Sequence, residues 1–187
     1  MSVGALGLIA LHVLFFTPFV VRFLVSGGFR GGPARAVAPG ARGLLVFHAL
    51  GLGVMYFGVG WAFGNGEPRS LGRLPGGALA LLGAGLATWT LVAFRSWRLR
   101  AEIAQQHELE VHGPFALVRH PIYLAMDLLA LGTALWLPHP VVWLGAALVA
   151  IGGDRRARAE EKVLLEAFGE RYRAYCGHVP RFVPGVY

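Results

Sequence analysis

Two blocks of this sequence carry side chains whose types and spacing could do chemistry, and both lie in its second half. The first runs His107-Glu108-Leu109-Glu110-Val111-His112-Gly113-Pro114-Phe115-Ala116-Leu117-Val118-Arg119-His120-Pro121-Ile122-Tyr123. Gly113-Pro114 breaks a helix and makes a turn. Pro121 suits the first turn of a following helix, where its missing N–H costs nothing. Arg119 and His120 then stand beside a helix N-terminus, whose free N–H groups can hold a carboxylate; the plainer alternative is a basic anchor at a membrane edge. The second block is a helix over roughly 154–176. Leu164, Phe168 and Tyr172 recur every four residues, with Tyr175 three further on, which makes a buried stripe. Glu160 and then Arg156 continue close to that face, four residues apart and within reach of each other. An ion pair aimed inward, where apolar residues are expected, is a candidate functional pair; an ordinary structural pair is the alternative.

The elements that must position these blocks are membrane spans. The chain has 187 residues, 56% of them hydrophobic and 14% charged, against about 25% charged in soluble domains. Apolar stretches run over 3–25, 43–63, 74–94, 121–137 and 140–153. The first three are about 20 residues or longer, the length a bilayer core demands. The last two are split by Leu137-Pro138-His139-Pro140, a sharp turn that reads as the tip of a helical hairpin, its second arm able to run past Gly153. The expected fold is therefore all-α: a polytopic membrane protein of five transmembrane helices, the last two a hairpin, followed by an amphipathic cytosolic C-terminal helix and an irregular tail over 179–185. It forms one membrane domain, 1–187, with three spans over 1–94 and the chemistry-bearing part over 95–187. The N-terminal stretch lacks a basic leader and a cleavage site, so it reads as a span and not as a removable signal.

The net charge of +7 invites a nucleic-acid reading, but membrane orientation explains it better. With five spans, segments 26–42, 95–120 and 154–187 share one side and hold three, four and seven Lys or Arg, against Arg69 and Arg73 opposite. That asymmetry follows the positive-inside rule and puts the N-terminus outside and the C-terminus in the cytosol, in a cell (inner) membrane. Gly83-Ala84-Gly85 lies inside an apolar span and follows no strand, so it is no nucleotide fingerprint; close helix packing accounts for it and for Gly51, Gly53, Gly58 and Gly60. His12 and His48 suggest a bis-histidine haem, but they lie about 20 Å and about 8 Å inside their spans at helical rise, and the depths do not match. No metal site is expected. Asp127, inside the fourth span, either lines an acceptor path or pairs with a polar neighbour. Cys176 reads as an incidental small apolar residue.

The two blocks together resemble the isoprenylcysteine carboxyl methyltransferase family and its prokaryotic relatives. The matching pieces are His107-x-Leu109, Gly113-Pro114-Phe115, Arg119-His120-Pro121-x-Tyr123, Glu160-Glu161, Phe168-Gly169-x-x-Tyr172-x-x-Tyr175 and Val179-Pro180-Arg181-Phe182-x-Pro184, in order over about 105–185. The resemblance implies S-adenosyl-L-methionine as cofactor, held by His107, Glu108, Leu109, Glu110, Phe115, His120, Pro121, Ile122 and Tyr123, with Glu160 also touching it and Arg156 facing the methyl acceptor. Phe115 stands where the family usually has tyrosine, and Glu110 where it usually has an aliphatic residue. A carboxylate acceptor needs no base, and arginine orients one bidentately; an amine would need deprotonation beside a like charge. The expected activity is therefore methyl transfer to a lipid-like or amphipathic acceptor, a carboxylate by preference, at the bilayer edge. Phospholipid N-methylation is the alternative within the same chemistry. A nicotinamide-dependent membrane reductase and a non-enzymatic membrane adaptor are the competing classes.

Overall fold

The computed structural model describes residues 2–25, 34–37, 40–66, 70–93, 102–104 and 109–183. Helices α1 (Val3–Val25), α2 (Ala41–Gly64), α3 (Arg73–Ala93), α4 (Pro121–Trp136), α5 (Pro140–Phe168) and α6 (Glu170–His178) dominate it. A short antiparallel strand pair, β1 (Ala34–Val37) with β2 (Glu102–Ala104), is the one departure from an all-helical fold among the described residues. Three helices, α1, α2 from Arg42, and α3, are long and apolar enough to cross a membrane, and α4 is a shorter apolar helix. The chain is an integral membrane protein.

The helices pack in an order that the chain does not follow: α1 against α3, α3 against α4, α4 against α5, and α5 against α2. Small residues set these contacts, because a bilayer offers no hydrophobic driving force between helices and close approach must supply the attraction. A Cβ on Gly145 of α5 would lie 2.4 Å from the Met55 backbone nitrogen of α2. Gly76 of α3 and Gly132 of α4 face each other as tightly: a Cβ on either would meet the other's carbonyl oxygen at 2.5 Å. Phe15, Ala80, Ala84, Ala87, Ala125 and Leu129 fill the α1–α3–α4 core, while Met55, Val142, Ala146 and Val149 fill the α2–α5 core. The outward faces carry Leu6, Val13, Val20, Leu50, Phe57 and Trp61, all exposed and suited to lipid tails.

The hairpin between α4 and α5 forms as its sequence demands, with Pro140 at the start of α5 and the His139 side chain capping it by accepting the Val141 N–H at 3.2 Å. One expected boundary moves. The fifth apolar stretch and the amphipathic helix expected from 154 are a single helix, α5, which passes through Gly152-Gly153 without a break. The break comes at Gly169, whose φ of 54° is a left-handed conformation that favours glycine, and α6 turns away from there. Gly153 cannot end the helix by composition alone: nothing removes its N–H, and α5 is packed on both sides at that level.

Candidate functional site

Where α4 begins, four segments meet: the turn Gly113–Ala116, the first turn of α4, the polar half of α5, and the tail after α6. The Gly113-Pro114 turn forms as expected, a 3-10 turn with Gly113 at φ 61° and Pro114 buried. Pro121 opens α4 with His120 as its N-cap. The amides just before that helix do not wait for a ligand, however. Arg119 N–H donates to the Pro180 carbonyl at 2.9 Å and His120 N–H to the Arg181 carbonyl at 3.2 Å. The tail expected to be irregular thus lies across the entry to α4, bonded to the two amides that precede the helix. Tyr175 adds a second tie, donating its hydroxyl to the Phe115 carbonyl at 2.6 Å. The stripe Leu164, Phe168, Tyr172 and Tyr175 is only half realised: Tyr172 is buried, the other three are half-buried.

The charged side chains sort into two groups around neighbouring glutamates. Glu161 is the hub of the first. Arg181 grips it in a fork, Nε to one oxygen at 2.9 Å and an outer nitrogen to the other at 2.7 Å. Arg119 reaches it at 3.1 Å, and His120 Nε2 lies 3.3 Å away. Asp154, one helical turn below with respect to Arg158, holds that arginine at 2.7 Å and approaches Arg181 at 3.5 Å. Burial alone would push the His120 imidazole down, but hydrogen bonds and charge from Glu160 and Glu161 outweigh it and hold its pKa above the ordinary value. Burial would likewise raise Glu161, but hydrogen bonds from His120 and Arg181, with their charge and that of Arg119, take it down to about 2. The two carboxylates therefore favour the protonated form of His120, and Glu161 is surrounded by partners.

Glu160 anchors the second group. It accepts the Tyr123 hydroxyl in a hydrogen bond, and its other oxygen lies 3.6 Å from His120 Nδ1. The Arg156 guanidinium sits over the Tyr123 ring, 5.0 Å from its centre. The expected Arg156–Glu160 pair is thus organised through Tyr123, which takes one partner on its face and the other on its hydroxyl. His120 stacks on the same ring at 5.8 Å and meets Phe182 of the tail at 6.0 Å. Among the residues expected to hold a cofactor, His120, Pro121, Tyr123 and Glu160 come together here. Leu109 is buried, Ile122, Phe115 and Glu110 are half-buried, and Glu110 accepts the His112 N–H at 3.3 Å. His107 and Glu108 lie outside the described residues, as does Pro184.

Sequence reasoning assigned no role to Glu161, Arg181 or Asp154. The first two stood in the matched motifs, but their meeting depends on a turn at Gly169 that brings the tail back over α5. His12, already set aside as a haem ligand on depth, is engaged within the helices: its Nδ1 is held by the Leu8 carbonyl at 2.9 Å and its Nε2 lies 3.2 Å from the Thr133 hydroxyl. Among the described residues no group of His, Cys, Asp and Glu could hold a metal ion.

This geometry falls within a stretch that known proteins share. A family model described as phospholipid methyltransferase matches residues 71–171, so the match takes in α3, which the motifs alone did not reach, and stops before the tail. The chain is 32% identical over 89 residues to a probable protein-S-isoprenylcysteine O-methyltransferase of Oryza sativa subsp. indica, and equally to that of subsp. japonica. The matched part is 47% of this chain and 47% of each relative, so the likeness spans about half the length of those curated proteins. A solved structure of the eukaryotic intramembrane Ras methyltransferase, isoprenylcysteine carboxyl methyltransferase, aligns with 94% of this chain and 52% of its own, at 20% identity and a TM-score of 0.43. The chain belongs to the phospholipid methyltransferase family.

Proposed function

We propose that this protein is an S-adenosylmethionine-dependent membrane methyltransferase whose acceptor is an amphipathic carboxylate, as in an isoprenylcysteine O-methyltransferase. The observation that carries the reading is the division of labour around Tyr123: an open carboxylate, Glu160, on one side and a guanidinium, Arg156, on the other, at the end of a membrane helix. The residues fit the cofactor. A sulfonium and an ammonium suit a carboxylate with spare acceptor capacity, and Glu160 keeps about a quarter of its side chain exposed (24%) where Glu161 is nearly closed off (16%). S-adenosylmethionine would supply a methyl group whose C–S bond breaks, the electron pair going to sulfur, as the acceptor oxygen forms the new C–O bond. Glu160 would orient the cofactor. Tyr123 would be held rigid by Glu160, Arg156 and His120. Arg156 would turn the acceptor carboxylate toward the methyl group, and positioning of this kind accounts for most of what such a displacement needs. No proton has to move. The family description favours a phospholipid amine as second reading, but an amine bound beside Arg156 would be repelled while protonated. The family match is to methyltransferases, which leaves the reductase and adaptor readings without support of their own.

The five-span count belongs to the same reading. The 16 residues of α4 and the apolar start of α5, up to Gly153, would form a hairpin that crosses the bilayer, leaving the N-terminus outside and the C-terminus in the cytosol. Reporter fusions at Gly66 and after Tyr187 should give opposite signals; matching signals would rule out five spans.

Cofactor and chemistry are tested together. Purified protein should bind S-adenosylhomocysteine in calorimetry and transfer a radiolabelled methyl group from S-adenosylmethionine to an S-isoprenylcysteine. His120→Ala should weaken that binding, because Glu160 and Tyr123 lose the imidazole that both contact. Equal affinity in the variant would remove His120 from the site. Label appearing in phosphatidylethanolamine instead would favour the amine reading.

A further inference from the structure

Two polar side chains among the helices, buried His48 and half-buried Asp127, carry buried atoms with no hydrogen-bond partner among the described residues, and both lie beside Tyr123. His48 of α2 is 2% exposed, and neither of its ring nitrogens has a hydrogen bond among the described residues. Its ring centre lies 6.1 Å from that of Tyr123, and Arg156 is its electrostatic neighbour. Asp127 of α4 stands one helical turn deeper than Tyr123, and its Oδ1 is buried and also unpartnered. An isolated polar group in such surroundings is costly, so native structures give nearly every one a partner, a water or a ligand.

The packing of α5 explains how they come together. A Cβ on Gly152 would lie 3.0 Å from the His48 Cα, so α2 rests directly on α5 at this level. A Cβ on the next residue, Gly153, would lie 3.6 Å from both the Tyr123 Cβ and Asp127 Oδ1, so α4 approaches from the adjoining side. Two successive glycines thus bring His48 and Asp127 to neighbouring faces of α5, one turn or less below Arg156. Neither belongs to the motifs around the cofactor cradle. Nothing about helix packing alone requires a histidine and an aspartate there; leucine or alanine would pack without an unmet hydrogen bond.

We infer that His48 and Asp127 are positioning residues for the methyl acceptor: with Arg156 they form the polar end of its pocket, three contacts on a head that must offer both hydrogen-bond acceptors and a donor. Arg156 holds the reacting carboxylate, His48 donates to a second oxygen of the head, and Asp127 accepts an N–H or O–H. The apolar remainder of the acceptor lies along the helices toward lipid. This rests on the carboxylate-methyltransferase reading above.

The test uses the full-length protein in detergent, with N-acetyl-S-farnesylcysteine as acceptor probe and S-adenosylhomocysteine as cofactor probe. His48→Leu and Asp127→Leu should each raise the KM for the acceptor about tenfold, the usual effect of losing one buried polar contact. Cofactor affinity should stay within twofold. The melting temperature should not fall, because each change removes an unmet polar group. Asp127→Asn and His48→Gln, which keep hydrogen-bonding atoms in place, should restore the KM to within about threefold. Leucine variants that melt higher and keep the wild-type KM would overturn the inference while leaving the methyltransferase reading intact. Wild-type protein that fails to bind S-adenosylhomocysteine, or binds it and leaves the probe unmethylated, would overturn the carboxylate reading and this pocket with it.

Discussion

Glu161→Ala should cost about 3–5 kcal/mol of stability, the largest single loss in the C-terminal half, because it removes the carboxylate that two largely buried arginines, Arg119 and Arg181, share and leaves Arg181 the longer contact to Asp154. The side chains of Arg119, Arg181 and Glu161 are only 12%, 13% and 16% exposed, so water cannot screen the loss as it does for a surface pair. The same residue closes the tail over α4, and removing it should also free the segment after α6. Urea or thermal unfolding in detergent measures the first effect and proteolysis near Arg181 the second. Replacing Glu161 and Arg181 together by methionine should recover part of the stability, since a pair removed whole leaves less uncompensated charge. A loss below about 1 kcal/mol in Glu161→Ala would mean that the cluster behaves like an exposed pair.

The pH dependence of this cluster has a definite sign on each side. Glu161 falls from 4.5 to about 2 on folding, so its contribution is complete above about 4.5 and disappears as pH drops toward 2. His120 is raised from 6.5, so its contribution is complete below 6.5 and is lost as pH climbs through its higher folded value. Stability from this cluster should therefore be greatest between those limits. His120→Gln should remove the alkaline decline and leave the acid one, which a pH series of melting curves would detect.

How far the sequence disclosed this site depends on whether a feature is local. The Gly113-Pro114 turn, Pro121 at the start of α4, the Pro-rich hairpin tip and the shared face of Arg156 and Glu160 each follow from a few neighbouring residues, and each forms. The span lengths follow from apolar runs, and three helices meet them outright. What stayed hidden is long-range. Glu161 sits one residue round the helix from the inward face, and its partner Arg181 is 20 residues further on, delivered by a change of direction at Gly169. Glycine in a helical run gives no sign of whether it will bend, and Gly152-Gly153 do not while Gly169 does. Nor does any local pattern say that α2 packs on α5, which is what brings His48, 75 residues away, to the Tyr123 ring.

Arg156→Ala should keep near-normal affinity for S-adenosylhomocysteine and lose about 10- to 150-fold in methyl-transfer efficiency, while Glu160→Ala should lose both. The range is the usual cost of a hydrogen bond to a charged group, about 1.5–3 kcal/mol, converted at about 1.36 kcal/mol per tenfold. The asymmetry comes from Tyr123. Glu160 accepts its hydroxyl and approaches His120, so removing the carboxylate loosens the ring and the imidazole and deletes the anion proposed to face the cofactor. Arg156 touches the face of the ring and has His48 as an electrostatic neighbour, whereas Glu160 takes the hydroxyl. Arg156→Lys should recover activity only in part, because an ammonium has no planar fork for a carboxylate and stacks less well on tyrosine. Tyr123→Phe separates the two roles further: it keeps the ring under Arg156 but removes the hydroxyl that fixes Glu160, so cofactor affinity should fall more than the acceptor KM rises. Each variant must first show the wild-type melting profile, since a lost buried charge can also unfold a protein. A folded Arg156→Ala that methylates normally, or that fails only by losing the cofactor, would return Arg156 to the role of a structural cation resting on Tyr123.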